Sequence, residues 1–204
     1  MKKLFLSSFV ILIFLSGCVK LHTERPKIHY YIISFIPEHF DREPLPIKVN
    51  FEGFTISKIY DTEKFIYRNN NYEITGDFYN RWIVRPNEFI SEYIRDFINF
   101  NFSDINTLKN ANDFKIKGHI YEFYGKIENG KLTSYLNMSI NLYWYNKIMN
   151  TYDLIFTRNY NKKTITENIT TKGYIDSMDN NIQEISKEIL NDLYSAIYKQ
   201  IKSS

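Results

Sequence analysis

Cysteine is almost absent from this chain of 204 residues, in which Cys18 is the only one. A single cysteine cannot form an intrachain disulfide, so a packed core must supply the stability of the fold. Long apolar runs are also lacking, because the run at residues 4–15 is interrupted by two serines. A helix that crosses a bilayer needs roughly 20 apolar residues, so this run is too short to span a membrane.

The chain also lacks a strong charge of either sign, with 26 basic and 23 acidic residues. If residues 1–17 are removed, Lys2 and Lys3 go with them, which leaves 24 basic residues against 23 acidic ones. Nucleic-acid binding needs a concentrated basic face. The near-neutral balance therefore argues against a nucleic-acid partner.

Sequence motifs of catalysis are missing as well, including G-x-S-x-G, the P-loop, G-x-G-x-x-G and H-E-x-x-H. The four histidines, His22, His29, His39 and His119, include no pair at the helical spacing of metal ligands. A charged loop around His39 leaves an enzyme as a third, minor hypothesis. We expect a protein that is not an enzyme and that holds no metal and no cofactor.

The start of the chain does contain a lipidation signal. A basic start, the short apolar run and then Leu15-Ser16-Gly17-Cys18 follow the order of a secretory signal. Leu-Ser-Gly-Cys resembles the bacterial lipobox, in which the cysteine thiol carries diacylglycerol and its amine an acyl group such as palmitate. Several acyl chains at one residue give stable membrane attachment. The alternative is an ordinary signal peptide in which Cys18 is incidental.

Three segments follow from this interpretation: a signal peptide at 1–17, a polar lipidated tether at 18–28 and one domain at 29–204. Val19 stands where an Asp would indicate retention in the inner membrane. The sorting rule of lipoproteins then predicts the periplasmic face of the outer membrane.

Within the domain, the apolar pattern alternates between strand and helix periods. Strands are predicted at 29–36, buried on both faces, at 47–59, in a hairpin of 64–68 with 72–74, and in a meander of 114–124, 136–144 and 152–160. Helices are predicted from Pro86 through Ile98 and from Tyr174 to Ser203, and loops at 37–46 and 161–173. The order β-β-ββ-α-β-β-β-α predicts an α+β single domain, a mixed and mostly antiparallel sheet with two helices packed on one face.

Three residues are candidate contacts for a partner. Arg81 and Trp82 are of types common at interface hot spots, although Trp82 equally fits a core position at the opening of a helix. Arg68 is either an exposed charge at a strand end or a salt-bridge partner. Tyr121, Phe123 and Tyr124 place aromatic side chains on both faces of one strand.

The middle of the chain resembles a known family. Ile56 to Asp61 leads into Phe65-Ile66-Tyr67-Arg68, and then come Tyr72-Glu73-Ile74, Arg81-Trp82 and the helix that begins at Pro86. This layout resembles the ABC-type transport auxiliary lipoproteins, the PqiC-like family, over nearly all of residues 29–204.

The resemblance implies a non-catalytic lipoprotein of an intermembrane lipid transport system. Such systems pair an ABC transporter with a periplasmic protein of the mammalian-cell-entry (MCE) type, which the lipoprotein would dock at the outer membrane. A homo-oligomer is compatible with this role. The alternative is a lipoprotein that itself binds a lipid or another apolar ligand.

Overall fold

The computed structural model describes residues 26–33, 45, 47, 49–69, 72–102 and 114–203. Cys18, the signal peptide and most of the tether and of the predicted 37–46 loop lie outside these residues. The described chain folds as β1 (His29–Tyr31), β2 (Val49–Ile56), β3 (Lys64–Arg68), β4 (Ile74–Trp82), α1 (Pro86–Phe102), β5 (Phe114–Glu128), β6 (Lys131–Asn146), β7 (Thr151–Thr166) and α2 (Thr171–Ser203).

All seven described strands belong to one mixed sheet with the order β1-β4-β3-β5-β6-β7. β2 pairs with the first half of β5 and β3 with its second half, both in parallel. β1 is parallel to β4, while β3–β4, β5–β6 and β6–β7 are antiparallel. The predicted element order and the α+β class are confirmed.

Both helices pack on one face of this sheet. The ring of Trp82 at the end of β4 lies 5.3 Å from Phe89 of α1, 6.0 Å from Tyr174 of α2 and 5.7 Å from Phe123 of β5, measured between ring centroids. Trp82 has no exposed surface. One aromatic side chain therefore joins the two helices to the sheet at the centre of the core.

Two strongly periodic segments fold as their patterns predict. The apolar stripe of α1 is buried from Phe89 to Ile98, and Leu136 to Leu142 of β6 alternate between buried core positions and the opposite face. The turn between β5 and β6 consists of Asn129 and Gly130, both at positive φ, which is the geometry that favours an Asn-Gly hairpin.

The first strand differs from its prediction. β1 is three residues long, and Tyr30 is 55% exposed, so the prediction of a strand buried on both faces is wrong for the described part. β1 lies at the edge of the sheet, where only β4 pairs with it. The face away from the helices is therefore open to solvent at Tyr30.

The predicted loop at 161–173 is also wrong for most of its length. β7 continues to Thr166, which pairs with Leu132 of β6, and α2 already begins at Thr171. The Thr and Ile residues near 164–166 are β-branched and suit a strand, and pairing with β6 outweighs the polar composition. β4 likewise runs on to Trp82, past the predicted end of the hairpin.

Candidate partner-binding surface

The outer edge of the sheet carries a group of exposed apolar side chains around one arginine. Tyr30 and Ile32 come from β1 and the residues after it, and Phe78 and Tyr79 from β4; Ile83 follows β4 directly. We call the following residues the edge patch: Tyr30, Ile32, Phe78, Tyr79, Arg81 and Ile83. Contiguous exposed apolar groups of this kind mark interaction sites on soluble domains.

Arg81 lies in the middle of the edge patch. Strand pairing places it opposite Tyr30, and its guanidinium carbon lies 5.9 Å from the centroid of the Phe78 ring. Its Nε is buried and has no hydrogen-bond partner among the described residues. A half-buried arginine among aromatic rings is a combination that protein interfaces favour.

An irregularity in β4 turns Phe78 and Tyr79 outward. The register between β3 and β4 shifts between Lys64 and Ile66, so β4 bulges at this point. The Asp77 carboxylate holds the bulge, because it accepts hydrogen bonds from the backbone N–H groups of Tyr79 and Asn80 at 2.8 and 3.0 Å. Bulges re-aim side chains at sheet edges, and here two consecutive aromatic residues become exposed.

Arg68, the second predicted contact, is held in a separate aromatic cluster on the same face of the sheet. Its guanidinium carbon lies 4.3 Å from the centroid of the Tyr124 ring, and one of its terminal nitrogens lies 3.5 Å from a carboxylate oxygen of Glu122. It also donates a hydrogen bond to the Tyr60 hydroxyl. Of the two alternatives, the structure supports the salt-bridge partner. The Nε of Arg68, like that of Arg81, is buried without a hydrogen-bond partner among the described residues.

The rings of this cluster stack on one another across three elements. Tyr124 stacks on Tyr135 of β6 at 4.8 Å and on Tyr60 at 6.0 Å. Burial raises the pKa of Tyr60 and Tyr124 above the ordinary value, while the neighbouring Arg68 acts in the opposite direction. These tyrosines stay protonated at neutral pH, and the cluster is a packed structural element.

Trp82 needs a correction as a contact residue. Its side chain is fully buried between the two helices and the sheet, so it has no surface to offer to a partner. The structure places Arg81 and Trp82 on opposite faces of β4, because neighbouring residues of a strand point to opposite sides. The core interpretation of Trp82 is the one that the structure supports.

The centre of the helix-free face carries a polar network. The ring nitrogens of His119 lie 2.7 Å from the Thr55 hydroxyl and 3.3 Å from the Ser57 hydroxyl. The Tyr121 ring lies 4.6 Å from that of His119, and its hydroxyl accepts a hydrogen bond from Ser139. Phe123 and Tyr124 are buried on opposite faces of β5, and Tyr121 remains partly exposed.

This network does not reproduce a hydrolase site. A serine nucleophile needs a histidine base that is oriented by a third group, in most cases a carboxylate. Here the hydrogen bonds of His119 go to two hydroxyl groups. Among the described residues, no group of three or more His, Cys, Asp or Glu side chains could hold a metal ion, and no helix there is long and apolar enough to cross a bilayer.

Sequence reasoning missed most of the edge patch. It singled out Arg81 and left Phe78, Tyr79 and Ile83 without a role. The available signal was Asp77-Phe78-Tyr79-Asn80, two aromatic residues in succession between polar residues that favour local backbone hydrogen bonds. In a regular strand one of two successive side chains would point into the core, so their joint exposure depends on the bulge.

Comparisons with known proteins support the fold alone. No family model matches the sequence, and no curated protein matches it. Among solved structures, the chain is similar to protein XCC0632 from Xanthomonas campestris, of the DUF330 family model, with a TM-score of 0.67 and 10% identity over 87% of this chain and 99% of that one. An uncharacterized protein is similar with a TM-score of 0.55 and 8% identity over 77% and 98% of the two chains.

Proposed function

We propose that this protein is a membrane-anchored, non-catalytic lipoprotein that serves an ABC/MCE-type lipid transport system. Acyl chains on Cys18 hold it at the periplasmic face of the outer membrane, and its folded domain docks the periplasmic MCE-type protein. The lipids on Cys18 are its only non-protein groups in this proposal.

The observation that carries the proposal is the fold shared with XCC0632. That protein is assigned to the DUF330 family model. Independently, the sequence resembles the PqiC-like auxiliary lipoproteins in the order of its strands, helices and aromatic residues. The lipobox at residues 15–18 supports the anchoring half of the proposal.

The edge patch is the surface that we assign to docking. It combines five exposed apolar side chains with one arginine whose Nε lacks a partner among the described residues. Burying such aromatic and aliphatic side chains contributes roughly 1.5–3 kcal/mol each before entropy is subtracted. A partner with an apolar surface and an acceptor for Arg81 would fit this patch.

Co-purification from detergent-solubilised membranes tests the docking half of the proposal. The full chain with an affinity tag should recover an MCE-type protein from cells that encode both. Phe78→Asp combined with Arg81→Glu should lower this recovery about tenfold or more, since hot-spot residues contribute roughly 2 kcal/mol or more. Lys163→Glu on β7, an exposed lysine of the opposite sheet edge, is the matched control and should leave recovery unchanged.

Three other outcomes count against parts of the proposal. Failure of the unchanged chain to recover any MCE-type protein contradicts the function itself. Full recovery by the double variant contradicts the edge patch as the docking surface. A lipid that stays bound to the protein in native mass spectrometry, without an MCE partner, favours the alternative of a lipid-binding lipoprotein.

A further inference from the structure

The end of the molecule at the β6–β7 turn carries a second exposed apolar surface. A groove of about 440 Å³ lies between this turn and the last turns of α2, and Lys147, Ile148 and Ile201 line it together with Trp144 and Phe114. We call the following residues the distal surface: Lys147, Ile148, Met149, Tyr198, Ile201 and Lys202.

Two apolar side chains protrude from this surface. Ile148 is 94% exposed and Met149 is 69% exposed, so both side chains stand in solvent at the tip of the turn. Tyr198 and Ile201 on the last turns of α2 are also exposed. An isoleucine as exposed as Ile148 buries little apolar surface and so contributes little to the stability of the fold.

The turn is built to hold this arrangement. The side-chain oxygen of Asn146 accepts hydrogen bonds from the backbone N–H groups of Ile148 and Met149 at 3.0 and 3.1 Å. The side-chain nitrogen of Asn146 donates to Asp153 at 2.9 Å, and Asn150 has a positive φ. The backbone N–H groups at the tip are therefore hydrogen-bonded within the turn, and its apolar side chains point into solvent.

The charge around the tip is mainly positive, with the Asp153 carboxylate at the base of the turn. Residues 145–152 and 195–203 contain Lys147, Lys199 and Lys202 and no acidic residue. The connection between β3 and β4 differs in this respect. Its Tyr72 is 95% exposed but is followed directly by Glu73.

We propose that the distal surface docks onto an anionic phospholipid bilayer, with Ile148 and Met149 entering the interfacial layer. Apolar residues beside lysines, with a tyrosine near them, form the combination by which peripheral elements enter the headgroup region. Lysines near an anionic leaflet add electrostatic attraction. A protruding tip suits a bilayer, which deforms around it, better than it suits the flat core of a protein interface.

The distance between the tip and β1 limits how the tip and the lipid anchor can reach the same bilayer. Tyr30 pairs with Arg81 of β4, and Arg81 pairs with Lys64 of β3. Tyr67, three residues after Lys64, pairs with β5. Tyr30 therefore lies level with about residue 122 of β5. At about 3.3 Å per residue, the tip lies roughly 30–40 Å from β1 along the strands. The proposed tether at 18–28 reaches about 40 Å at most, so lipid anchor and tip can share one bilayer only with the tether nearly straight.

A fluorescence measurement tests the contact without help from the lipid anchor. The full chain carries Cys18→Ser, so that an introduced cysteine is its only thiol. Ile148→Cys is labelled with a polarity-sensitive dye, and Tyr72→Cys, at a site of matched exposure, is the control. Each labelled chain is mixed with vesicles of phosphatidylglycerol and phosphatidylcholine, with vesicles of phosphatidylcholine alone, and with brominated lipids as quenchers.

The proposal predicts a blue shift and quenching of the dye at position 148 on anionic vesicles, and neither change at position 72. Adding Lys147→Glu and Lys202→Glu should weaken the response about tenfold or more, because each lysine near an anionic surface contributes to binding. Unchanged thermal unfolding of the three labelled chains shows that the fold is intact.

Several results would overturn the proposal. An unchanged dye at position 148 means that the bilayer does not touch the tip. Equal changes at positions 148 and 72 mean non-specific adsorption, for example through the apolar run near the start of the chain. A shift that appears without vesicles and grows with protein concentration assigns the distal surface to a second copy of the chain.

Discussion

Arg68 shows how a single charged residue can join three elements. It contacts Tyr60 after β2, Tyr124 and Glu122 of β5, and belongs itself to β3. Cation–π contacts contribute roughly 0.5–2 kcal/mol, depending on how far they are desolvated. The arginine therefore acts on stability, and its role as a partner contact stays a prediction.

Replacing Arg68 should weaken the fold. Arg68→Met is expected to lower the free energy of unfolding by about 1–2 kcal/mol, since it removes the cation from the tyrosine stack. Chemical denaturation measures the change. Arg85→Met is the matched control, because Arg85 pairs with Asp61 at an exposed site, where an ion pair contributes about 0–1 kcal/mol. Equal effects of the two substitutions would contradict the proposed importance of the cluster.

Arg81 and Trp82 are neighbours in sequence and have opposite environments. Trp82→Ala should destabilise the protein by about 3–5 kcal/mol, because it opens a large cavity between both helices and the sheet. Arg81→Ala should change the free energy of unfolding much less and should instead lower recovery of the MCE-type partner. Thermal unfolding and co-purification measured on both variants separate the two roles. A large stability loss for Arg81→Ala would argue that the edge patch is structural.

At the scale of elements, α2 is fastened to the sheet by a buried polar contact. Asn181 is almost fully buried, and its side-chain nitrogen donates to the carbonyl and hydroxyl oxygens of Ser134 at 3.1 and 2.9 Å. Its side-chain oxygen accepts from the Thr164 hydroxyl at 2.8 Å. One amide thus links α2 to β6 and β7 and fixes the helix along the sheet.

Removing this amide should loosen α2. Asn181→Ala is expected to cost about 1–3 kcal/mol, because Ser134 and Thr164 lose a buried partner. Asn180→Ala, one residue away and exposed, should stay within about 0.5 kcal/mol of the unchanged protein. Amide hydrogen exchange in α2 would show the local effect, and equal exchange in both variants would contradict it.

The elements that the sequence predicts best are those with one dominant period. α1 and β6 have apolar stripes at 3.6 and 2.0 residues, and the structure buries those stripes. The end of β7 has no such stripe, because it is an edge strand whose polar side chains face solvent on one side. Its strand character comes from pairing with β6, which lies far away in sequence and leaves no local pattern.

The candidate surfaces were harder to predict for a related reason. The exposure of Phe78 and Tyr79 depends on a bulge that Asp77 holds through backbone hydrogen bonds. The exposure of Ile148 depends on the turn that Asn146 holds through backbone hydrogen bonds. Composition indicates apolar residues at both places, but tertiary structure decides which of them reach solvent.

Buried tyrosines make the free energy of unfolding of the whole molecule depend on pH in the alkaline range. Burial raises the pKa of Tyr67, Tyr160 and Tyr174 above the ordinary value of 10.0, and for Tyr160 the Asp192 carboxylate adds to the effect. Their stabilising contribution is complete below pH 10 and is lost as the pH rises toward the folded-state values, because the unfolded chain releases these protons first.

The free energy of unfolding should therefore fall steadily above about pH 10. Tyr160→Phe should reduce the slope of this fall, at a cost of about 1 kcal/mol at neutral pH for the lost hydrogen bond to Asp192. Denaturant titrations at a series of alkaline pH values measure both effects. A slope that does not change in the variant would contradict the coupling of Tyr160 to unfolding.

The fold as a whole tolerates wide sequence change. This chain and XCC0632 share the fold at 10% identity, and pattern rather than residue identity is what the two can have in common at that level. Cores accept extensive substitution when volume and patterning are kept. The edge patch and the distal surface are exposed, so they lie outside that requirement on the core.

We propose that the edge patch of the acylated lipoprotein contacts an MCE-type protein directly in the cell. Site-specific photo-crosslinking in living cells, from a photoreactive residue at Phe78, tests it most directly. We expect a crosslinked product with the MCE-type protein that is absent when the same residue replaces Leu154 at the other edge of the sheet. A membrane-attached protein that crosslinks from Phe78 to no MCE-type protein would contradict docking through the edge patch.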